Sequence, residues 1–357
     1  MNRLKTLKLV ALILTLTLVL VGCSGNSSAP AASSSSPSAP SDSAKKNSDF
    51  KVALVTDVGG LNDKSFNYLA NKGLEQAVKE LGITKSVVES KQMTDYETNL
   101  SRFAEQKYNL IIAVGFLMQD AVTKVSQTYP DTKFMIIDSS ITDRPNVASA
   151  MFKTEQCGYL VGVMAGLMEK TQGIPNTFGK NTVGVVGGMQ IPPVDDYIAG
   201  FIQGAKSVNP DIKIKLNYTN KFDDPGLGKQ TALSQIASGA DIIFPVAGGT
   251  GTGAIDAAKE KNVYAIGVDA DQNYIAPDTV ITSAMKGMDV ATFDIIKGTL
   301  ENKFKSGNIV FELNNNGVGF ATPSKAVPKE IVDKVNEVAK QIKEGKISIT
   351  TKIPEKF

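Results

Sequence analysis

Asp57, Asp138, Asp269 and Lys286 each stand at the end of a short, β-branched, apolar run. The runs are KVALVT (51–56), KFMIID (133–138), VYAIGVD (263–269) and VITSAM (280–285). Carboxylates accept hydrogen bonds and an ammonium group donates them, so such a set can hold a polar ligand through its N–H and O–H groups. Aromatics are interleaved with these residues. Phe66 and Asn67 follow DVGGLNDKS (57–65), and Phe222 opens FDDP (222–225). Phe66 has two readings, packing in a core or projecting from a first helical turn into a crevice. Catalytic chemistry has little to work with. The chain contains no His, which removes His general bases, Ser–His and Cys–His pairs and His-ligated metals. Cys23 and Cys157 are too few for a disulfide framework or a four-cysteine zinc site. The paired carboxylates Asp195-Asp196 and Asp223-Asp224 leave a glycosidase open by spacing, but adjacent carboxylates are more often helix starts or solvated faces. Neither a G-x-S-x-G elbow nor a Walker sequence occurs. GGTGTG (248–253) departs from G-x-G-x-x-G, and close approach of backbone to a neutral ligand suits it better than a phosphate cradle. Asp269-x-Asp271-x-Asn273 starts like a calcium loop, but Tyr274 and Val280 stand where Gly and Glu are required. No cofactor and no metal are expected.

The elements that must position these residues are legible from periodicity. SVVES (86–90), LIIAVG (110–115) and VASAMF (147–152) complete a first series of strands. VGVVGG (183–188), KIKLNY (213–218) and DIIFPVA (241–247) begin a second, which VYAIGVD and VITSAM complete. Continuous apolar strands separated by helices signal parallel sheets covered on both faces. Two such series predict two doubly wound α/β lobes. A helix over 66–81 is framed by the cap candidates Asp63 and Ser65 and by Gly82. The stretch 155–168 is apolar nearly all round and is expected to be buried, with Cys157 as a small hydrophobe. Further helices are expected over 288–304 and near 328–345, with short strands at 309–313 and 317–321. Chain crossings near 152–155, 284–287 and 305–322 would form a three-stranded hinge beside a cleft. The first lobe is then 50–153 plus 286–305, and the second is 154–285 plus 306–357. Ligands of open parallel sheets sit beyond the carboxyl ends of the strands, where the polar residues above are found.

The chain has 357 residues, 42% hydrophobic and 21% charged, an ordinary globular balance. Residues 1–22 read as a signal segment. Arg3, Lys5 and Lys8 precede the apolar run 9–21, too short for a confident spanning helix. The run ends Leu20-Val21-Gly22-Cys23, which resembles a bacterial lipobox and implies cleavage before Cys23 and lipidation of its thiol. Residues 23–49, rich in Ser, Ala and Pro, form a tether. Loss of the three leading positive charges takes the formal charge from +2 to −1, which argues against a nucleic-acid partner.

Several segments together resemble one family. DVGGLNDKSFN, FDDP, VAGGTGTG, GVDADQ and ITSAMK, collinear within residues 50–325, are similar to the BMP family of basic membrane lipoproteins and to its PnrA-type purine-nucleoside receptors. The resemblance implies a type I periplasmic-binding-protein fold and a substrate-binding protein of an ABC transporter, without catalysis. It implies that Phe66 and Phe222 sandwich a purine. Asp57, Asn67 and Asp138 would contact the base side. Asp269 and Lys286 would hold ribose hydroxyls, with Gly248 offering backbone and Lys286 free to neutralise Asp269. Guanosine, inosine or adenosine would be the ligand of a monomer anchored on the outer face of the cell membrane. The partners would be a permease and an ATPase. The alternatives are the same fold holding a sugar or riboflavin, or a surface nucleoside hydrolase.

Overall fold

Near-continuous runs of Val, Ile, Leu and Ala become the buried strands of two sheets. The computed structural model describes residues 47–357; the expected signal segment, Cys23 and the tether up to residue 46 lie outside the described residues. The first series is β1 Asn47–Thr56, α1 Phe66–Leu81, β2 Ile83–Glu89, α2 Asp95–Glu105, β3 Leu110–Val114, α3 Gln119–Thr128, β4 Lys133–Ile137 and β5 Val147–Phe152. The second is α4 Thr154–Lys170, β6 Thr182–Gly187, α5 Pro192–Val208, β7 Lys213–Tyr218, α6 Pro225–Ala237, β8 Ile242–Val246, α7 Gly248–Glu260, β9 Tyr264–Asp269 and β10 Val280–Lys286. The chain closes with α8 Met288–Leu300, β11 Gly307–Phe311, β12 Val318–Phe320 and α9 Lys329–Lys343.

The sheet orders are β11-β5-β4-β3-β1-β2 and β12-β10-β9-β8-β6-β7. The two orders correspond position for position. Every pairing is parallel except that of β10 with β12. In each lobe the connections reverse direction between the first and third strands. That is the topological switch point, where a crevice opens at the carboxyl ends.

One expected boundary differs. Residues 306–357 do not belong wholly to the second lobe, because β11 pairs in parallel with β5 of the first sheet. Alternation along GNIVF and the free edge of β5 make that placement possible. The crossings therefore fall at Lys153, at Gly287 and in 312–317. They are tied together. Phe152 and Phe311 stack at 4.9 Å, Lys153 pairs with Glu312 at 2.6 Å, and the Gly287 amide donates to Gly317 O at 2.8 Å.

Helix packing in the second lobe uses glycine as the only side chain small enough. A Cβ at Gly158, Gly162 or Gly204 would stand 2.0–2.3 Å from a carbonyl oxygen of the facing α4–α5 partner. The expected burial of 155–168 follows from this close approach, and Cys157 is fully buried within it. The same reason accounts for part of GGTGTG. A Cβ at Gly253 would meet Pro225 O at 1.7 Å, so this glycine serves the α6–α7 crossing.

Candidate functional site

Asp57, Phe66, Asn67, Asp138, Phe222, Gly248, Asp269 and Lys286 all line one cleft between the two sheets. The cleft holds about 580 Å³ of unfilled space, counted out to its mouth. Its walls come from the switch points of both lobes, which is why residues so far apart in sequence converge here.

The first-lobe wall is built on the loop between β1 and α1. Asp57 follows the last residue of β1. Its Oδ1 accepts from the Gly59 amide at 2.9 Å and from Asn67 Nδ2 at 2.8 Å. A Cβ at Gly59 would stand 3.0 Å from that oxygen. Asn67 Nδ2 also reaches Asp63 Oδ2 at 3.1 Å, so its amide is spent on orienting carboxylates rather than left open to a ligand. Asp63 is the true cap of α1: it accepts from the amides of Ser65, Asn67 and Tyr68 at 3.0, 2.7 and 3.1 Å. Burial pushes both Asp57 and Asp63 up to about 6, against the lowering effect of these hydrogen bonds.

Ser65 is the first residue before α1, yet its hydroxyl crosses the cleft. It donates to Asp269 Oδ2 at 2.6 Å, while Tyr197 OH donates to Asp269 Oδ1 at 2.9 Å. Gln272 Nε2 reaches Lys64 O at 3.2 Å. The bonds of Ser65 and Gln272 join the lobes over the cleft, which is closed. Asp138 and Asp269 occupy equivalent strand ends, after β4 and at the end of β9, with φ of 63° and 62°. Asp tolerates the left-handed region better than most side chains, and the turn directs each carboxylate to the cleft.

Lys286 was expected to neutralise Asp269; it pairs instead with Asp138 at 2.5 Å, with side chains 1% and 5% exposed. The physical reason is position. Lys286 ends β10, at the crossing to α8, and its Nζ lies 4.9, 5.0 and 5.8 Å from the ring centres of Phe66, Phe152 and Tyr197. Three aromatic faces and one carboxylate thus stabilise the buried ammonium. Asp269 is held instead by two neutral donors, the hydroxyls of Ser65 and Tyr197. Phe66 and Phe222 are half-buried and come from different lobes. Phe222 lies over Gly188, where a Cβ would meet its Cε1 at 2.2 Å. Asp224 caps α6 through Leu227 N at 2.9 Å, so that half of the Asp223-Asp224 pair is a helix start.

Sequence reasoning missed Ile191, Pro193, Val194 and Tyr197, which give the cleft its second-lobe floor. They follow β6, so the rule applied to the other strand ends would have found them. Among the described residues no cluster of three or more acids and cysteines suited to a metal occurs.

Residues 50–352 match the family described as ABC transporter substrate-binding protein, PnrA-like. The chain belongs to this family. A CD4+ T-cell-stimulating antigen of Listeria innocua is 37% identical, over 87% of this chain and 90% of its own length. The ABC transporter nucleoside-binding protein BmpA of Lactococcus lactis is 34% identical, over 96% and 97%. A solved solute-binding protein of an Aeropyrum pernix ABC transporter superposes with a TM-score of 0.78 at 30% identity, covering 86% of this chain and 94% of that one. As a PnrA-like substrate-binding protein, the chain works with a permease and an ATPase.

Proposed function

We propose that the protein is a lipid-anchored receptor of an ABC importer that captures purine nucleosides by closure of its two lobes. The observation that carries this reading is the lining of one cleft by Phe66 and Phe222, one from each lobe, among several carboxylates. A purine between two aromatic faces gains about 1–3 kcal/mol per face, by analogy with base stacking. Stacking accepts any purine, so hydrogen bonds must supply selectivity. Asp57, held by Gly59 and Asn67, accepts from base N–H groups. Asn67 acts through Asp57, and Asp138 acts through Lys286. Asp269 and Lys286 hold ribose hydroxyls, with the backbone of Gly248 beside them. With Lys286 already paired, the remaining carboxylates make the cleft acidic, which disfavours phosphate and favours nucleosides over nucleotides. The printed name of the Lactococcus lactis relative supports a nucleoside ligand, and the lipobox ending at Cys23 supports anchoring on the outer face of the membrane. The receptor acts as a monomer, and ligand drives closure because only the closed form makes both sets of contacts.

Calorimetric titration tests this. Protein first stripped of co-purified ligand by unfolding and refolding is titrated with guanosine, inosine, adenosine, cytidine, ribose and riboflavin. Saturable heat with purine nucleosides alone is the expected result. Binding of ribose or riboflavin with none of any purine nucleoside would refute the assignment.

A further inference from the structure

Two carboxyl groups meet at the base of the second lobe, at the ends of the strands opposite the cleft. Asp241 precedes β8 and is fully buried; Glu169 lies in the last turn of α4 and is half-buried. One oxygen of each is engaged. Asp241 Oδ2 accepts from the Phe178 amide, and Glu169 Oε2 accepts from the Thr182 amide at 3.2 Å. The other two, Glu169 Oε1 and Asp241 Oδ1, are buried and find no donor among the described residues. Both residues flank Thr182, whose amide donates to Glu169 and whose carbonyl oxygen accepts from the Asp241 amide at 3.2 Å.

Among the described residues no Lys or Arg forms an ion pair with either carboxyl. Lys170, next to Glu169, turns its Nζ to Val208 O at 3.2 Å, and Lys206 of α5 turns to Pro210 O at 3.1 Å. Lys180, in the overlying segment 171–181, lays its stem near Gly239. Two adjacent ionised carboxylates would repel each other, and their two unpartnered oxygens are out of reach of water.

We propose that Glu169 and Asp241 share one proton, Glu169 donating through Oε1 to Asp241 Oδ1, and that this pair clamps the segment 171–181 to the base of the second sheet until alkali releases it. One proton satisfies both orphaned oxygens at once, and Asp241 then keeps the Phe178 amide through its other oxygen. A bound cation would need more oxygens than these two. Burial, followed by the hydrogen bond and charge of Asp241, pushes Glu169 up to about 9. A folded-state value above the unfolded one means that this stabilisation is fully present below the ordinary value of 4.5 and is lost as pH rises through about 9.

The test is infrared spectroscopy of the purified protein and its Glu169→Gln variant at about pH 8 and about pH 10.5, on either side of the expected titration. The wild type should show the carbonyl stretch of a neutral carboxylic acid at the lower pH and lose it at the higher. Glu169→Gln should lack it, because its amide donates to Asp241 without a titratable proton. Its thermal midpoint should fall less than the wild type's between the two conditions. Asp241→Asn removes one of the two influences that hold the proton, burial being the other, so it should lose the band at a lower pH than the wild type; it serves where Glu169→Gln fails to fold. Coincident wild-type and variant spectra at the lower pH would overturn the shared proton. So would a wild-type band erased by calcium chloride together with a raised thermal midpoint, which would put a cation in the proton's place.

Discussion

Lys286→Met removes the ammonium from a site where its partner has nowhere to go. Asp138 is 5% exposed and keeps no other cation within ion-pair distance among the described residues. Breaking a buried pair from one side costs about 3–5 kcal/mol. The structure permits a second route to a magnitude. Burial already pushes Asp138 above its ordinary value of 3.8, with Lys286 opposing that rise. Without Lys286 the carboxyl escapes its penalty by binding a proton. Holding that proton costs about 1.4 kcal/mol for each pH unit above 3.8, hence about 4 kcal/mol at pH 7 but only about 1.6 kcal/mol at pH 5. The destabilisation of the variant is therefore expected to shrink by roughly 2–3 kcal/mol between those conditions. Urea unfolding at both pH values, wild type beside variant, measures it. The double change Lys286→Met with Asp138→Asn leaves no buried charge and should recover most of the loss at neutral pH. A destabilisation equal at both pH values, and unrelieved in the double variant, would mean that the three aromatic contacts of Lys286 matter and the ion pair does not.

Phe66→Ala and Phe222→Ala are each expected to weaken purine-nucleoside binding more than about tenfold, or about 1.4 kcal/mol, while the thermal midpoint stays near that of the wild type; unchanged affinity in both would remove the sandwich. Asp57, pushed up to about 6, should accept from a ligand N–H only when ionised. Affinity is then expected to fall towards tenfold per pH unit below about 6 and to level off above it. A calorimetric series across this range checks the point, and a flat profile would reassign Asp57 from acceptor to donor or bystander. Gly188→Ala places a methyl against the outer atoms of the Phe222 ring, at 2.2 Å from Cε1. Because the ring end can swing, stability should change little while affinity drops; the comparison of melting and titration separates the two effects.

Much of the architecture is written in local pattern. Apolar, β-branched runs such as LIIAV and KFMII read as strands buried on both faces, and the residues that end them mark the carboxyl edge, where ligands of open parallel sheets bind. Asp57, Asp138, Asp269 and Lys286 were therefore found by position alone, and Phe66 and Phe222 by the loops that carry them. Hydrophobic periodicity reports which face of an element is covered, and that information is contained within a dozen residues. It does not report which of two free edges a short strand joins. GNIVF was placed in the wrong lobe for that reason; only the free edge of β5 decided where β11 went. Pairings across the cleft are equally silent in the sequence. Lys286 and Asp138 are 148 positions apart, and Ser65 and Asp269 are 204 apart. Their meeting depends on how two separately built sheets are held by three crossings. The residue types and the edge on which they stand came from the chain, whereas the partner of each charge came from packing. In a buried site the partner sets protonation and orientation.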